Sequence, residues 1–394
     1  MTILQVHNFY QQPGGEDEVF RAEYGLLRGR GHRVPQYVLH NDAIKDMSKI
    51  SAGVKTIWNA RVYREIREII QCQRPDVLHA HNVFPLISPA LYYAASAEHV
   101  PVVQTLHNYR LLCPGGNFFR NGQVCEECLS ATVPFPAVRH RCYRHSAAAT
   151  GTVAAMLVTH RLADTWNTKV QNYIALTHFA KSKFVESGLT AARIAVKPNF
   201  LTVDPGFGPG EGDYALFAGR LSEEKGICVL LESWERLGSA IPLKIAGSGP
   251  LHSWVRERVR DLPGVDYIGH CTREEITRLL KRAKLLVLPS TCYEGLPLIL
   301  IEAFACGTPV VGSALGSINE LIQDGVSGFR FRAGSSDDLA GTVQGCLSDG
   351  NQLRDMRRGA RCSYERNYTP ERNYDLLMEI YAEAIHRAKT AQYS

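Results

Sequence analysis

Short apolar runs recur along this chain, each followed by a stretch of helical periodicity, and that alternation admits few architectures. In the first half the runs fall at 3–7, 33–39, 76–81, 100–106 and 172–177; in the second they fall at 214–218, 243–246, 265–268, 285–288 and 309–311. Runs such as 285–288, apolar at every position, suit strands covered on both faces, the situation of a parallel sheet between helices. The expected class is α/β, with one doubly wound sheet in each half. Residues 200–213 are too rich in glycine and proline to lie inside an element and read as the linker. The expected division is therefore 1–200, 201–369, and a terminal segment 370–394 whose Leu376, Leu377, Ile380 and Ile385 give a helix an apolar stripe.

Length and charge narrow the function. The 394 residues, 45% of them hydrophobic, suffice for two ordinary domains. The first strand candidate begins beside Met1, so no signal peptide is expected. The longest uncharged helical run, 146–159, is short of the ~20 apolar residues that span a bilayer. A cytoplasmic protein is expected. The net charge of +5 is uneven: residues 1–200 carry 22 Lys and Arg against 14 Asp and Glu, a balance of +8, while 201–394 carry 22 against 25, a balance of −3. A basic first half suits an anionic acceptor or the inner face of an anionic membrane. Nucleic acid is disfavoured, because the basic residues are scattered and no recognition motif accompanies them.

The most informative stretch runs from Ser290 to Gly312. A buried strand at 285–288 leads through Glu294 and Gly295 into a helix with Pro297 in its first turn, stopped by Gly307 and Pro309. That helix is apolar nearly all round, yet carries one carboxylate, Glu302. A buried carboxylate needs donors, and the vicinal hydroxyls of a ribose supply a matched pair. The helix N-terminus spanning Gly295, Leu296, Pro297 and Leu298 is expected to bind the donor, offering backbone N–H groups to a phosphate. Upstream, Arg220 follows a strand and Lys225 opens the next helix, placed to neutralise a diphosphate leaving group. Gly247 and Gly249 form a turn after a further strand, and Gly14 and Gly15 precede the first amphipathic helix, where backbone can approach a ligand closely. His7, His81 and His107 fall at strand ends, where doubly wound sheets bind ligands; His79 reads as structural.

Two glutamates, Glu294 and Glu302, with seven residues between them across a strand, loop and helix resemble the nucleotide-sugar motif of the family 4 retaining glycosyltransferases, of the GT-B fold. The resemblance extends to Gly219–Leu221, Glu224–Gly226, Ala246–Pro250 and Gly312, in order, and is looser in the first half. It implies two Rossmann-like domains facing a central cleft, with the terminal helix crossing back to the first. It implies that Arg220 and Lys225 grip the diphosphate, Glu302 holds the ribose, Glu294 meets the transferred sugar, and His107 faces that sugar. Gly14 and Gly15 would lie at the donor phosphates or acceptor, and backbone near Ile268 would meet the base. The expected partners are a UDP- or GDP-sugar and a saccharide acceptor, lipid-linked, with retention and no catalytic metal. The alternatives are a nucleotide-sugar epimerase of similar fold and a zinc-stabilised binding protein without catalysis.

Nothing in that resemblance calls for the cysteines. Cys113, Cys125, Cys128 and Cys142 cluster within 109–145, an insertion poor in apolar periodicity, while seven others are scattered. The two-residue spacing of Cys125 and Cys128 lets adjacent thiolates share one metal, so a structural four-thiolate zinc is expected. Buried thiols, or two disulfides, are the alternatives.

Overall fold

The computed structural model describes residues 1–12 and 14–391, which form two compact units. The first comprises Met1–Asn117, Glu126–Asn199 and the C-terminal segment from Pro370; the second comprises Phe118–Cys125 and Phe200–Thr369. The segment 109–145, expected as one insertion of the first domain, is thus divided. Its central piece, a β-ribbon of Phe119–Arg120 and Gln123–Val124, goes with the second unit. Within that unit the buried Phe118 meets the Tyr293 ring at 5.8 Å, an apolar contact that holds the ribbon there.

In the first unit six parallel strands, β1 (Ile3–Phe9), β2 (Gln36–His40), β3 (Val77–Ala80), β4 (Val102–Leu106), β5 (Asn172–Ala175) and β6 (Ile194–Val196), lie in the order β2-β1-β3-β4-β5-β6. The inner strands are buried at nearly every position, as both covered faces require. β2 starts later than its sequence suggests. Arg33 both donates to the Met1 carbonyl and accepts from Ile3, but Pro35 has no N–H to give and offers only its carbonyl, to Gln5. β6 was not legible, being a three-residue edge strand of which only Ile194 is buried. The helix Pro370–Ala391 completes this unit's core, setting Leu377, Ile380, Tyr381 and Ala384 against Ile3, Val77, Val103 and Ile174.

The second unit repeats the plan with β7 (Ala215–Ala218), β8 (Leu243–Ala246), β9 (Val265–Gly269), β10 (Leu285–Leu288), β11 (Val310–Ser313) and β12 (Gly328–Phe331), again all parallel, ordered β9-β8-β7-β10-β11-β12. The edge strand β12 also escaped the sequence reading. In such sheets the chain leaves in opposite directions on either side of a switch point, opening a crevice beyond the strands' carboxyl ends. The switch points fall between β1 and β3 in the first unit and between β7 and β10 in the second. Among the described residues no helix is long and apolar enough to cross a membrane.

Candidate functional site

In the second unit, adjacency of β7 and β10 brings together loops 69 residues apart in sequence. After β7 the chain passes exposed Arg220, makes the 3-10 turn Glu223–Lys225, and enters the helix Ile227–Leu237 through Gly226. Gly226 has φ +71°, and a Cβ there would stand 1.8 Å from the Pro289 carbonyl oxygen, so only glycine lets the two loops meet this closely. Thr291 N–H donates to the Glu224 carbonyl at 2.9 Å across the same seam. The result is one polar cluster: Lys225 Nζ donates to Glu294 Oε1 at 2.7 Å and Oε2 at 2.8 Å, and Ser290 Oγ donates to Oε1 at 2.7 Å. Burial pulls the Lys225 ammonium down, but Glu294 outweighs it and the group is held above its ordinary value, so Lys225 stays charged. An ammonium has three N–H groups, and Glu294 takes two.

Glu302 projects from the helix Leu298–Ala305, whose other faces are buried through Leu300, Ile301, Phe304 and Ala305. Pro297 is the N-cap of this helix, one position before the first turn expected of it; its ψ of 122° is extended, and the helical turn begins at Leu298. The Glu302 side chain is 16% exposed and has Arg273 Nε at 3.3 Å. Arg273 opens the helix Arg273–Arg282, where an arginine after the capping residue Thr272 looks like any solvated cap, and nothing in its spacing singles it out. Ser290 was likewise missed as a partner of Glu294. Ile268, at the end of β9, is exposed. Gly247 and Gly249 are accounted for by packing: a Cβ at Gly247 would lie 1.9 Å from the Gly219 carbonyl oxygen, and one at Gly249 2.4 Å from that of Leu221. Leu296 is buried, while Gly295 and Leu298 are half-buried.

In the first unit, Gly14 is the N-cap of the helix Gly15–Gly29 and its N–H donates to Asp17 Oδ2 at 3.0 Å. Asp17 Oδ1 in turn holds His7 Nε2 at 2.7 Å, which makes His7 a strut of this loop. His79 also has both ring nitrogens taken, by Tyr381 and Thr105. His107 is different. It pairs through Nε2 with His81 Nδ1 at 3.0 Å, and both line a cavity with Asn82, Gln104, Asn108 and Arg110. Burial, then neighbouring His81, holds His107 well below the ordinary histidine value, so the ring is neutral.

Beside it, Asn108 Nδ2 donates to Glu16 Oε2 at 3.2 Å. Burial pushes the Glu16 carboxyl up to about 7 against the lowering effect of its bonds with Tyr10 and Asn108. The native state therefore binds this proton more tightly than the unfolded chain, whose value is near 4.5, and stability falls as pH rises from 4.5 through 7. Glu16→Gln removes the effect. Thermal unfolding from pH 4 to 9 should show the variant gaining on the wild type through that window, by on the order of 1–3 kcal/mol above it; parallel curves would contradict the assignment.

No disulfide joins any of the eleven cysteines among the described residues, which disfavours the two-disulfide alternative. Cys113 and Cys128 are buried, Cys125 and Cys142 half-buried. Cys113 Sγ and the Cys142 carbonyl oxygen each lie 3.6 Å from where a Gly115 Cβ would be, so these two segments touch around one glycine.

Known proteins share both halves. Residues 25–204 match the family model Glycosyltransferase Family 4, and residues 212–349 match Glycosyl transferases group 1. The chain is 30% identical over 297 residues to glycogen synthase of Mycobacterium tuberculosis, a match covering 73% of this chain and 64% of that enzyme's length. It is 22% identical over 333 residues to N-acetyl-alpha-D-glucosaminyl L-malate synthase of Bacillus anthracis, covering 83% and 80%. Among solved structures, Anabaena HepE in complex with UDP superposes with a TM-score of 0.71 at 18% identity, over 97% of this chain and 100% of that one. Sucrose-phosphate synthase from Thermosynechococcus elongatus gives 0.71 at 15% identity, over 97% and 98%. With family matches across both halves and the same pair of parallel-sheet domains as these structures, the chain takes its place among the GT-B glycosyltransferases that resemble family 4.

Proposed function

We propose that the chain is a retaining glycosyltransferase that moves a sugar from a UDP- or GDP-sugar to a hydroxyl of a lipid-linked saccharide in glycan or polysaccharide biosynthesis, at the cytoplasmic face of a membrane. The observation that carries this reading is the Lys225–Glu294–Ser290 cluster at the β7/β10 switch point, with Glu302 nearby in sequence on the helix that follows. Two of three ammonium protons of Lys225 hold Glu294, and the third is left for a phosphate oxygen. One cation thereby ties the sugar-facing carboxylate to the diphosphate. Arg220, exposed beside it in sequence, adds charge to the leaving group, so the chemistry calls for no catalytic metal. Glu302, ion-paired with Arg273, holds the ribose diol. His107 keeps the role the sequence resemblance implies, against the transferred sugar. No side chain is assigned as a nucleophile; the departing phosphate assists deprotonation of the acceptor, and the sugar keeps its configuration. HepE, of the same fold, has been seen with UDP and with UDP-glucose, which favours a nucleotide-sugar donor here. The basic first half favours an anionic, membrane-borne acceptor.

Calorimetry separates the two glutamates. Glu302→Ala should weaken binding of free UDP or GDP about tenfold or more through lost charge-assisted bonds, whereas Glu294→Ala should leave that binding within a few-fold and abolish most transfer. The reverse order would overturn the assignment.

We also propose that Cys113, Cys125, Cys128 and Cys142 hold a structural zinc that fixes the 109–145 segment, a reading supported by the Cys125/Cys128 spacing. Protein purified without a metal-binding tag should carry about one zinc per chain, lost from Cys125→Ser/Cys128→Ser. Folded, active, zinc-free protein would contradict it.

A further inference from the structure

Behind His107 the first unit buries a row of titratable groups that the donor chemistry does not use. Glu23, on the helix Gly15–Gly29, is fully buried, and so is Lys197, whose Nζ donates to Glu23 Oε1 at 2.6 Å and to Asn373 Oδ1 at 3.2 Å. The other carboxylate oxygen, Oε2, lies 3.3 Å from His81 Nε2 and 3.5 Å from His79 Nδ1. Both Glu23 Oε2 and His81 Nε2 are buried and otherwise without a hydrogen-bond partner, so they serve each other. From His81 the row continues through Nδ1 to His107 Nε2 at 3.0 Å. His7, the remaining imidazole nearby, is tied to Asp17.

A metal reading presents itself first, because ligand atoms of Glu23, His79 and His81 lie within 4.8 Å of one another. The local chemistry speaks against it. Lys197 already supplies the cation at the carboxylate, and both nitrogens of His79 are hydrogen-bonded, to Tyr381 at 2.7 Å and Thr105 at 2.8 Å. Charge is balanced with Glu23 ionised, Lys197 protonated and the imidazoles neutral. A further positive charge in this interior would go uncompensated. Burial holds His79 well below the ordinary histidine value, in keeping with that count.

The donor pattern then follows link by link. A carboxylate only accepts, so His81 carries its proton on Nε2. A neutral ring protonated there has a bare Nδ1, which must accept, so His107 carries its proton on Nε2 as well. His107 Nδ1 is left with its lone pair. We infer that Glu23, acting through His81, is a positioning residue that fixes the tautomer of His107, so that His107 Nδ1 accepts a hydrogen bond from a hydroxyl of the transferred sugar. The inference rests on the proposed role of His107 and deepens it, since it restricts the sugar to one that carries a hydroxyl at the position His107 meets. A deoxy group there cannot donate.

Long-range proton–nitrogen correlation spectra of protein labelled with 15N-histidine read the tautomers directly. In the wild type His81 and His107 should both carry the proton on Nε2. In Glu23→Gln, Lys197 keeps the amide oxygen and the amide NH2 turns toward His81 Nε2; the proton of each ring should then move to Nδ1, and kcat should fall at least tenfold while UDP binding to the second unit is unchanged. A wild-type His107 protonated on Nδ1 would overturn the inference, as would a folded Glu23→Gln protein with unchanged tautomers. Should Glu23→Gln not fold, the wild-type spectrum decides alone. A third outcome separates the two layers: predicted tautomers together with wild-type transfer rates in His107→Ala would uphold the buried relay and overturn its aim at the sugar.

Discussion

Alanine at position 225 should lower kcat/KM for the preferred nucleotide sugar about tenfold to a hundredfold while leaving the protein folded. Lys225 makes charge-assisted bonds at its ordinary donors to Glu294, and by the proposed mechanism its third proton meets the diphosphate as negative charge grows there. One such bond is worth about 1.5–3 kcal/mol, and each 1.36 kcal/mol is a factor of about ten in rate. Stability should change little. The Lys225 side chain is 30% exposed, so no buried cavity forms, and Glu294, 12% exposed, keeps the Ser290 hydroxyl as a donor. Lys225→Arg preserves charge but not the compact ammonium that bridges two anions, and should recover activity only in part. Steady-state kinetics with a thermal-unfolding control read both claims. Wild-type rates in Lys225→Ala would remove the diphosphate grip from the account.

The largest expected stability effect lies in the other unit. Lys197→Met should destabilise the protein by about 3–5 kcal/mol, because it leaves Glu23 charged, fully buried and without its cation. The double variant Glu23→Gln/Lys197→Met should recover most of that loss, since removing both charges removes the desolvation cost along with the attraction. Acid should mimic the damage. Burial alone would raise the Glu23 carboxyl, yet the Lys197 ammonium and the hydrogen bond from His81 outweigh it and hold the group well below the usual carboxylate range. Its folded value being the lower one, the pair's contribution is complete above the unfolded value near 4.5 and is lost as pH falls below it. Urea titrations of the three proteins at neutral and acid pH test this; a Lys197→Met midpoint equal to the wild type would contradict it.

How much of this was legible beforehand depends on the range over which each signal acts. The inner strands announce themselves locally, as in Leu285–Leu288, because burial on both faces leaves an unbroken apolar run. The helix Leu298–Ala305 is equally plain, bounded by Pro297 and Gly307. Edge strands β6 and β12 are short and only partly buried, so their composition does not separate them from loop. Pairings set by strand order were out of reach. Lys225 and Glu294 were each singled out, but their contact depends on β7 lying beside β10, and nothing in either loop records that. Glu23 was invisible for a related reason. On an amphipathic helix it looks like one more solvated acid, and the lysine that makes it a buried group stands 174 residues away. The piece of the 109–145 segment that goes with the second unit packs Phe118 against Tyr293, a contact that no spacing within the segment reveals.

The central claim is transfer with retention, and product analysis by NMR tests it most directly. The purified chain is incubated with UDP-glucose, UDP-galactose, UDP-N-acetylglucosamine or GDP-mannose and with lipid-linked and free saccharide acceptors, and the anomeric signal of the product is followed as nucleoside diphosphate appears. The account predicts a new glycosidic bond with the donor's own anomeric configuration, formed in step with nucleoside diphosphate release and dependent on acceptor. A linkage of inverted configuration, or free sugar released equally well without any acceptor, would contradict it.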